Sequence, residues 1–213
     1  MPSKTPNILF FFSDQQRWDT CGCYGQPLDI TPNLDRMASE GVRFENAFTC
    51  QPVCGPARAC LQTGKYATEV GCHTNHRLLP LDEKTVAHYL KEQGYDTAYI
   101  GKWHLASFGK READNFRERP VPTERRGGYD YWLASDVLEF TSHGYDGHMF
   151  DGDGNKREFP EGRYRVDAQT DWVLEYLDSR KGADKPFFLF TSYIEPHHQN
   201  DHHCYEGPHG SKE

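Results

Sequence analysis

The sequence lacks any apolar run long enough to cross a membrane, and it carries no excess of positive charge. Among its 213 residues, 24 Lys and Arg stand against 32 Asp and Glu, which gives a formal net charge of −8. A membrane helix needs about 18 or more consecutive apolar residues, and a sequence-independent nucleic-acid binder needs clustered Lys and Arg to displace counterions. We therefore expect neither a membrane nor a nucleic acid as a partner.

The N-terminus also lacks the small-residue cleavage site of a secretory signal. Its apolar run, Asn7–Ser13, is short and is typical of a central parallel strand that is covered on both faces. These features predict a cytoplasmic protein, or a periplasmic one whose signal has been removed.

The cysteines do not fit a pure disulfide framework, because there are seven of them and such a framework needs an even number. Six lie within Cys21–Cys72, which keeps zinc open as an alternative, but neither a paired CxxC nor an H-x(3–5)-H spacing follows there. At least one thiol must therefore be free, bound to a metal or chemically special.

Helical and strand patterns alternate along the chain. Helix patterns with a clear start or stop cover Thr31–Gly41, Thr85–Gln93 and Arg165–Arg180. Apolar strand patterns cover Asn7–Ser13, Val42–Phe48, Tyr95–Ile100 and Pro186–Thr191. This alternation predicts an α/β fold with a mostly parallel central sheet flanked by helices.

Two regions depart from that alternation. The stretch 107–162 is rich in Gly, Arg, Asp and aromatic residues and has weak periodicity, so we expect a long excursion off the sheet. The end of the chain, Gly210–Glu213, follows a strand and a polar loop without a closing element. We therefore expect residues 1–213 to be the N-terminal part of a larger catalytic domain.

Polar clusters follow three of the predicted strands. They are Ser13–Gln16, Gly101–His104 and Glu195–His198. Ligands of open α/β sheets gather at the carboxyl ends of the strands. Each cluster alone is weak evidence, but three in the same topological position predict a site there.

The most specific segment runs from Cys54 to Gly64, with the sequence Cys-Gly-Pro-Ala-Arg-Ala-Cys-Leu-Gln-Thr-Gly. Pro56 and the residues after it place Cys54 near a helix N-terminus, where the macrodipole favours negative charge and a cysteine becomes reactive. The segment resembles the signature of the sulfatases of the alkaline-phosphatase superfamily, Cys-x-Pro-Ser/Ala-Arg followed by Leu-x-Thr-Gly. Every fixed position of that signature is present.

The resemblance extends over nearly the whole chain. Pro6–Leu9 with Asp14, Thr31–Phe44, Gly101–Leu105 and Tyr193–His197 are similar to further family motifs. The family also has a later Asp-His or Asp-Asn pair and a second lysine near the sulfate, which this chain lacks. The resemblance therefore implies an incomplete metal site in residues 1–213, with weak binding of the ion.

The resemblance implies hydrolysis of sulfate esters, with a sulfated carbohydrate or an aryl sulfate as the substrate. A maturation enzyme of the family would oxidise Cys54 to formylglycine, whose hydrate offers one hydroxyl to attack sulfur and a second to expel sulfate. A hard cation, Ca²⁺ or Mg²⁺, would be held by oxygen atoms of Asp14, Gln15 and the modified Cys54.

The family roles transfer to five further positions. Arg58 would stabilise the hydrated aldehyde and the anion, and Lys102 would bridge both. His104 would remove the proton of the second hydroxyl, and His197 would contact the sulfate and help protonate the leaving alcohol. Asn75 falls where related enzymes contact the substrate.

One departure keeps a second function open. Many sulfatases have two adjacent Asp residues after the first strand, whereas Gln15 takes the second position here. The Asp-Gln pair also occurs in phosphonate monoester and phosphodiester hydrolases of the same superfamily, although Lys102 and His104 match the sulfatase pattern.

A third alternative is a non-catalytic metal-binding or interaction module that uses the Cys and His clusters. Five of the 11 histidines and Cys204 fall in the last 17 residues. We interpret this stretch instead as a polar loop that faces the substrate.

Overall fold

The computed structural model describes residues 5–109 and 115–211. The α-helices of these residues are Pro32–Glu40 (α1), Cys54–Thr63 (α2), Val86–Glu92 (α3) and Arg165–Ser179 (α4). The strands are Ile8–Ser13 (β1), Asp96–Lys102 (β2), Tyr131–Ser135 (β3), His148–Asp151 (β4), Lys156–Glu158 (β5) and Phe187–Tyr193 (β6). Short 3-10 turns lie at Trp18–Thr20, Gly22–Tyr24, Thr123–Arg125 and Leu138–Phe140. No helix in the described ranges has the length and apolar character that a membrane crossing requires.

All six strands form one mixed sheet in the order β1-β6-β2-β3-β4-β5. Neighbours run parallel from β1 through β6 and β2 to β3, and antiparallel from β3 through β4 to β5. The predicted α/β class is thus confirmed. The two central strands, β6 and β2, are buried along almost their whole length, which explains their continuous apolar sequence.

The sheet has a separate apolar cluster on each face. On one face, an aromatic cluster lies beside α3, with Tyr99, Trp103, Trp132, Phe188 and Phe190 among its members. On the other face, α4 packs through Ala168, Trp172, Val173 and Tyr176 onto side chains such as Ile100, Leu133 and Leu189. Side chains of successive strand residues point to opposite faces, so β2 contributes Tyr99 to the first cluster and Ile100 to the second.

The predicted strand Val42–Phe48 is wrong. These residues form neither helix nor strand, and Val42 and Phe48 are 82% and 91% exposed. Alternating apolar residues favour extended backbone, but a strand also needs a partner for its N–H and C=O groups. Among the described residues, no strand lies beside this segment.

The predicted coverage of the first strand is also wrong. β1 is an edge strand that pairs only with β6 among the described residues. Leu9 is 50% and Phe11 61% exposed, whereas Phe10 stacks on Phe190 with ring centroids 4.5 Å apart.

The prediction that residues 107–162 leave the sheet is wrong, because three strands of this segment belong to it. β3, β4 and β5 all lie in the sheet, and β3 extends the parallel part beside β2. Residues 110–114 of the segment lie outside the described residues. These strands are five, four and three residues long, too short to establish a clear periodicity over the glycine-rich stretch.

Gly101 permits a close approach of β2 and β6 immediately before Lys102. Its φ is +117°, and a Cβ atom at this position would lie 1.9 Å from the carbonyl oxygen of Ser192. Both the backbone conformation and the space therefore require glycine.

We expect Gly101→Ala to lower the free energy of unfolding by about 3 kcal/mol or more, because the clash is with backbone that cannot rotate away. Urea denaturation of the intact protein measures this change. Gly152→Ala is the matched control: a Cβ there meets nothing within 4 Å, so its effect should stay within about 0.5 kcal/mol. Equal losses in the two variants would contradict this explanation.

Candidate active site

Three side chains from different strands meet at the carboxyl edge of the sheet. Asp14 follows β1, Lys102 ends β2, and His197 lies four residues after β6. The Asp14 N–H donates to the Tyr193 carbonyl at 3.1 Å, which continues the pairing of β1 with β6. The parallel order β1-β6-β2 thus brings the three predicted polar clusters together.

Cys54 is the first residue of α2 and faces this edge. Its Sγ atom lies 3.6 Å from Asp14 Oδ1, 3.8 Å from His197 Nε2 and 4.0 Å from Lys102 Nζ. Burial raises the pKa of the Cys54 thiol, and the opposing influence of the Lys102 charge is smaller. Desolvation therefore opposes the activation expected for a cysteine at a helix N-terminus.

Asp14 is held ionised by two buried cations. Its Oδ2 atom lies 2.9 Å from Lys102 Nζ and 3.1 Å from an Arg58 guanidinium nitrogen. Burial opposes ionisation of the carboxyl group, but the charges of Lys102 and Arg58 together hold its pKa well below its usual range. Both cations therefore bind one carboxylate oxygen, while Oδ1 faces Cys54.

Glu139 is a site residue that the sequence analysis missed. It lies in the turn Leu138–Phe140, is 4% exposed, and its two carboxylate oxygens are 3.2 and 3.1 Å from Lys102 Nζ. Burial raises its pKa, but the Lys102 ammonium outweighs this and lowers the pKa overall. Glu139 lies four positions after β3. Polar residues that follow a strand of an open α/β sheet are candidates for the site, so a strand predicted at β3 would have indicated Glu139 as it indicated Asp14.

Arg58 connects α2 to the strand ends. Its guanidinium donates to the Lys102 carbonyl at 2.7 Å and to Ser192 Oγ at 2.8 Å, in addition to its pair with Asp14. The side chain is only 2% exposed. Arg58 therefore fixes the position of the helix that carries Cys54 relative to all three strands.

Asn75 contacts the start of the same helix. Its side-chain oxygen accepts a hydrogen bond of 2.8 Å from the Gly55 N–H. The first N–H groups of a helix have no partner within the helix, and Val53 at the N-cap provides no side-chain bond. Asn75 thus satisfies one of these groups; its predicted substrate contact stays a prediction.

Gln15 does not share the contacts of Asp14. It has a positive φ of 57° and an exposed side chain. Its side-chain oxygen accepts a hydrogen bond of 3.1 Å from the His198 N–H. The two predicted oxygen ligands, Asp14 and Gln15, are therefore adjacent in the sequence, but their side chains contact different groups.

His104 is buried with no hydrogen bond to either ring nitrogen from the described residues, and it is 4% exposed. Its backbone is left-handed, with φ of 59°. Burial, followed by the charges of Lys102 and Arg58, lowers the pKa of the imidazole well below its usual value. His104 is therefore a neutral base at pH 7.

A cavity of about 1430 Å³ opens in front of Cys54. Polar residues along its wall include Gln15, His198, Asn200 and Tyr205, and apolar ones include Phe48, Val53 and Leu61. Among the described residues, the groups of three with metal-ligand chemistry are Asp14, Cys54 and His197, and His143, Asp201 and His202. Neither group is the cluster of six cysteines for which a zinc site was kept as an alternative.

We expect Glu139→Gln to lower the free energy of unfolding at pH 7 by about 2 kcal/mol, because a buried charged hydrogen bond is lost. A carboxylate with a depressed pKa stabilises the fold above its unfolded-state pKa of about 4.3, and that contribution disappears as the pH falls through the folded pKa. The difference from the unsubstituted protein should therefore shrink between pH 5 and pH 3.

Urea denaturation at several pH values measures this difference. Glu161→Gln, at an exposed position, is the control and should stay within about 0.5 kcal/mol. A deficit for Glu139→Gln that is constant with pH would show that the ionised form of Glu139 does not stabilise the fold.

Comparison with known proteins agrees with this geometry. The profile of the Sulfatase family matches residues 6–212. An ulvan-active sulfatase from Formosa agariphila is 38% identical over 210 residues, which are 99% of this chain and 37% of that protein. An N-acetylglucosamine-6-O-sulfatase from Bacteroides thetaiotaomicron is 33% identical over 195 residues, 92% of this chain and 31% of that protein.

A solved structure matches as well. The crystal structure described as a sulfatase, yidJ of Bacteroides fragilis, has a TM-score of 0.80 at 30% identity and covers 92% of this chain and 45% of that chain. The chain thus spans less than half the length of these relatives. With nearly every residue matched by the family profile, it belongs to the sulfatase family.

Proposed function

We propose that the protein hydrolyses sulfate esters with Cys54, converted to formylglycine, as the nucleophilic residue. The observation that carries this proposal is the convergence of Asp14, Lys102 and His197 within 4.0 Å of Cys54 Sγ. A carboxylate, a fixed cation and an imidazole at one atom suit the transfer of a sulfuryl group, in which negative charge is redistributed.

The state of the thiol supports the modification. Burial raises the pKa of Cys54, so the unmodified side chain is a neutral thiol at pH 7 and a poor nucleophile. Hydrated formylglycine supplies one hydroxyl that attacks sulfur and a second whose deprotonation releases sulfate. Such a residue is made by a maturation enzyme, which is the partner that this proposal implies.

Part of a hard-cation site fits the residues present. Asp14 Oδ1 is turned away from both cations and towards Cys54, and the Gln15 amide offers a second oxygen at the same strand end. Oxygen donors of this kind suit Ca²⁺ or Mg²⁺. Asp14, Gln15 and the modified Cys54 would hold the ion, which would lower the pKa of a neighbouring hydroxyl and offset the negative charge of the sulfate.

Lys102 provides a positive charge at the point where sulfate negative charge is redistributed. Burial disfavours its charged form, but Glu139 and Asp14 outweigh this and raise its pKa. The ammonium therefore stays protonated over the whole physiological range. Its bonds to two carboxylates also restrict its position, so little reorganisation is needed during the reaction.

The two histidines have different surroundings. His197 Nδ1 lies 2.5 Å from the His198 carbonyl oxygen, so it carries the proton and leaves Nε2 to face Cys54. We assign His197 to the sulfate and the leaving alcohol, a role in which Nε2 must first take up a proton and then donate it to the alcohol. His104, neutral and without a hydrogen-bonding partner among the described residues, is assigned to removal of the hydroxyl proton in the second step.

The substrate class that the cavity favours is a sulfated carbohydrate. Its wall combines an aromatic ring, Tyr205, with polar groups of His198 and Asn200, as binding of a hydroxylated ring requires. One matched solved structure, with a TM-score of 0.74 and 34% identity, holds its substrate D-glucosamine-2-N,6-O-disulfate.

We expect the tryptic peptide 44–58 from protein made with a maturation enzyme to be about 18 Da lighter than its thiol form. Peptide mass spectrometry measures this. The same preparation should turn over an aryl sulfate faster than a phosphonate monoester. Preference for the phosphonate would favour the alternative suggested by Gln15, and an unmodified, inactive protein that binds zinc stoichiometrically would favour a non-catalytic module.

We expect His104→Ala to spare release of the first equivalent of alcohol and to slow every later turnover, because only the second step needs this base. A stopped-flow assay with a chromogenic aryl sulfate should show a burst followed by a slow steady state. His73→Ala, at an exposed position, is the control. Equal slowing of burst and steady state would contradict the division of labour between the histidines.

A further inference from the structure

Two free thiols touch each other at the wall of the cavity. Cys50 Sγ and Cys60 Sγ are 3.2 Å apart, although neither residue is in a disulfide. Cys50 is exposed and precedes α2, whereas Cys60 lies in the second turn of that helix and is half-buried. Both line the cavity in front of Cys54, so a small molecule that enters the cavity reaches them.

We propose that Cys50 and Cys60 form a reversible disulfide that closes a loop around Cys54. The bond requires the sulfur atoms to move about 1 Å closer, to a separation of about 2.05 Å. Residues 42–53 belong to no helix or strand, so backbone hydrogen bonds of regular structure do not oppose that movement.

The surroundings of the two thiols give them different roles in the formation of the disulfide. A hydrogen bond from the Ala67 backbone, followed by one from Cys60, lowers the pKa of Cys50. Burial, followed by the contact with Cys50, raises the pKa of Cys60 to about 11. The exposed Cys50 is therefore the thiol that reacts first with an external oxidant.

The oxidant we specify is a low-molecular-weight disulfide such as glutathione disulfide. The Cys50 thiolate attacks one of its sulfur atoms, a mixed disulfide forms on Cys50, and one glutathione thiolate leaves. Cys60 then loses its proton to solvent and attacks Cys50 Sγ, which releases the second glutathione thiolate. Two protein thiols are oxidised and one glutathione disulfide is reduced to two thiols.

Neighbouring cysteines are less suitable partners. Cys72 is buried and its thiol donates to the Leu78 carbonyl at 3.4 Å. Cys54 points to Asp14, His197 and Lys102 instead. Among the described residues, no group of three potential metal ligands includes Cys50 or Cys60, so a shared metal ion does not account for their contact.

The disulfide would tether the segment before α2 to the body of that helix. The two cysteines are ten positions apart, and the segment between them contains the N-cap residue Val53 and Cys54 itself. Oxidation would therefore restrict the cavity wall that leads into the helix, and reduction would release it.

The test uses the intact protein with Cys54→Ala, so that peptide 44–58 retains Cys50 alone. After exposure to excess glutathione disulfide, free thiols are blocked with N-ethylmaleimide and the protein is digested with trypsin. We expect peptides 44–58 and 59–65 to be joined, with a mass about 2 Da below the sum of their thiol forms. Excess reduced glutathione should return both cysteines to full labelling.

Two variants control this experiment. Cys50→Ser should abolish the linked peptides and leave Cys60 labelled, whereas Cys204→Ser, at another partly exposed cysteine, should leave the link intact. Circular dichroism confirms that each variant is folded. Full labelling of both cysteines in folded, oxidant-treated protein would overturn the proposal, as would a link between Cys60 and Cys72.

Discussion

The active-site region depends on one buried charge cluster, in which Lys102 lies between Asp14 and Glu139 and Arg58 pairs with Asp14. The Lys102 ammonium contacts both carboxylates, and Arg58 contacts Asp14 and two strand ends. Burying any one of these charges alone would cost several kcal/mol. Each is stable in the folded protein only because the others are present, so their positions are restricted together.

This cluster also constrains how the protein binds an anion. The two cations are balanced by the two carboxylates, so the cluster as a whole is neutral. A sulfate ester brought beside it would find Lys102 and Arg58 already paired, and part of its own desolvation cost would remain uncompensated. A divalent cation on Asp14 would supply the missing positive charge and leave Lys102 freer to contact the ester. Electroneutrality is therefore an independent reason to propose a metal at this site.

The sequence predicted those parts of the site whose signal is local. β1, β2 and β6 have strong apolar runs, and each is followed within a few residues by a polar cluster, so Asp14, Lys102 and His197 were expected at one edge. Glu139 was missed because β3 lies in a segment with weak periodicity. Its role depends on a parallel pairing with β2, and such long-range pairing is not visible in a single sequence. Val42–Phe48 failed for the converse reason, since a strand-like pattern does not create a partner strand.

Cys54 and Cys50 show why a helix N-terminus alone does not determine the reactivity of a cysteine. The helix dipole favours a thiolate within the first turn, and Cys54 lies there, yet burial raises its pKa. Cys50 lies outside the helix, but a hydrogen bond from the Ala67 backbone, followed by one from Cys60, lowers its pKa. Burial at Cys54 and hydrogen bonding at Cys50 therefore separate the two positions chemically. The exposed thiol is suited to exchange with disulfides, whereas the buried one stays protonated, and the conversion that we propose would supply the nucleophile in its place.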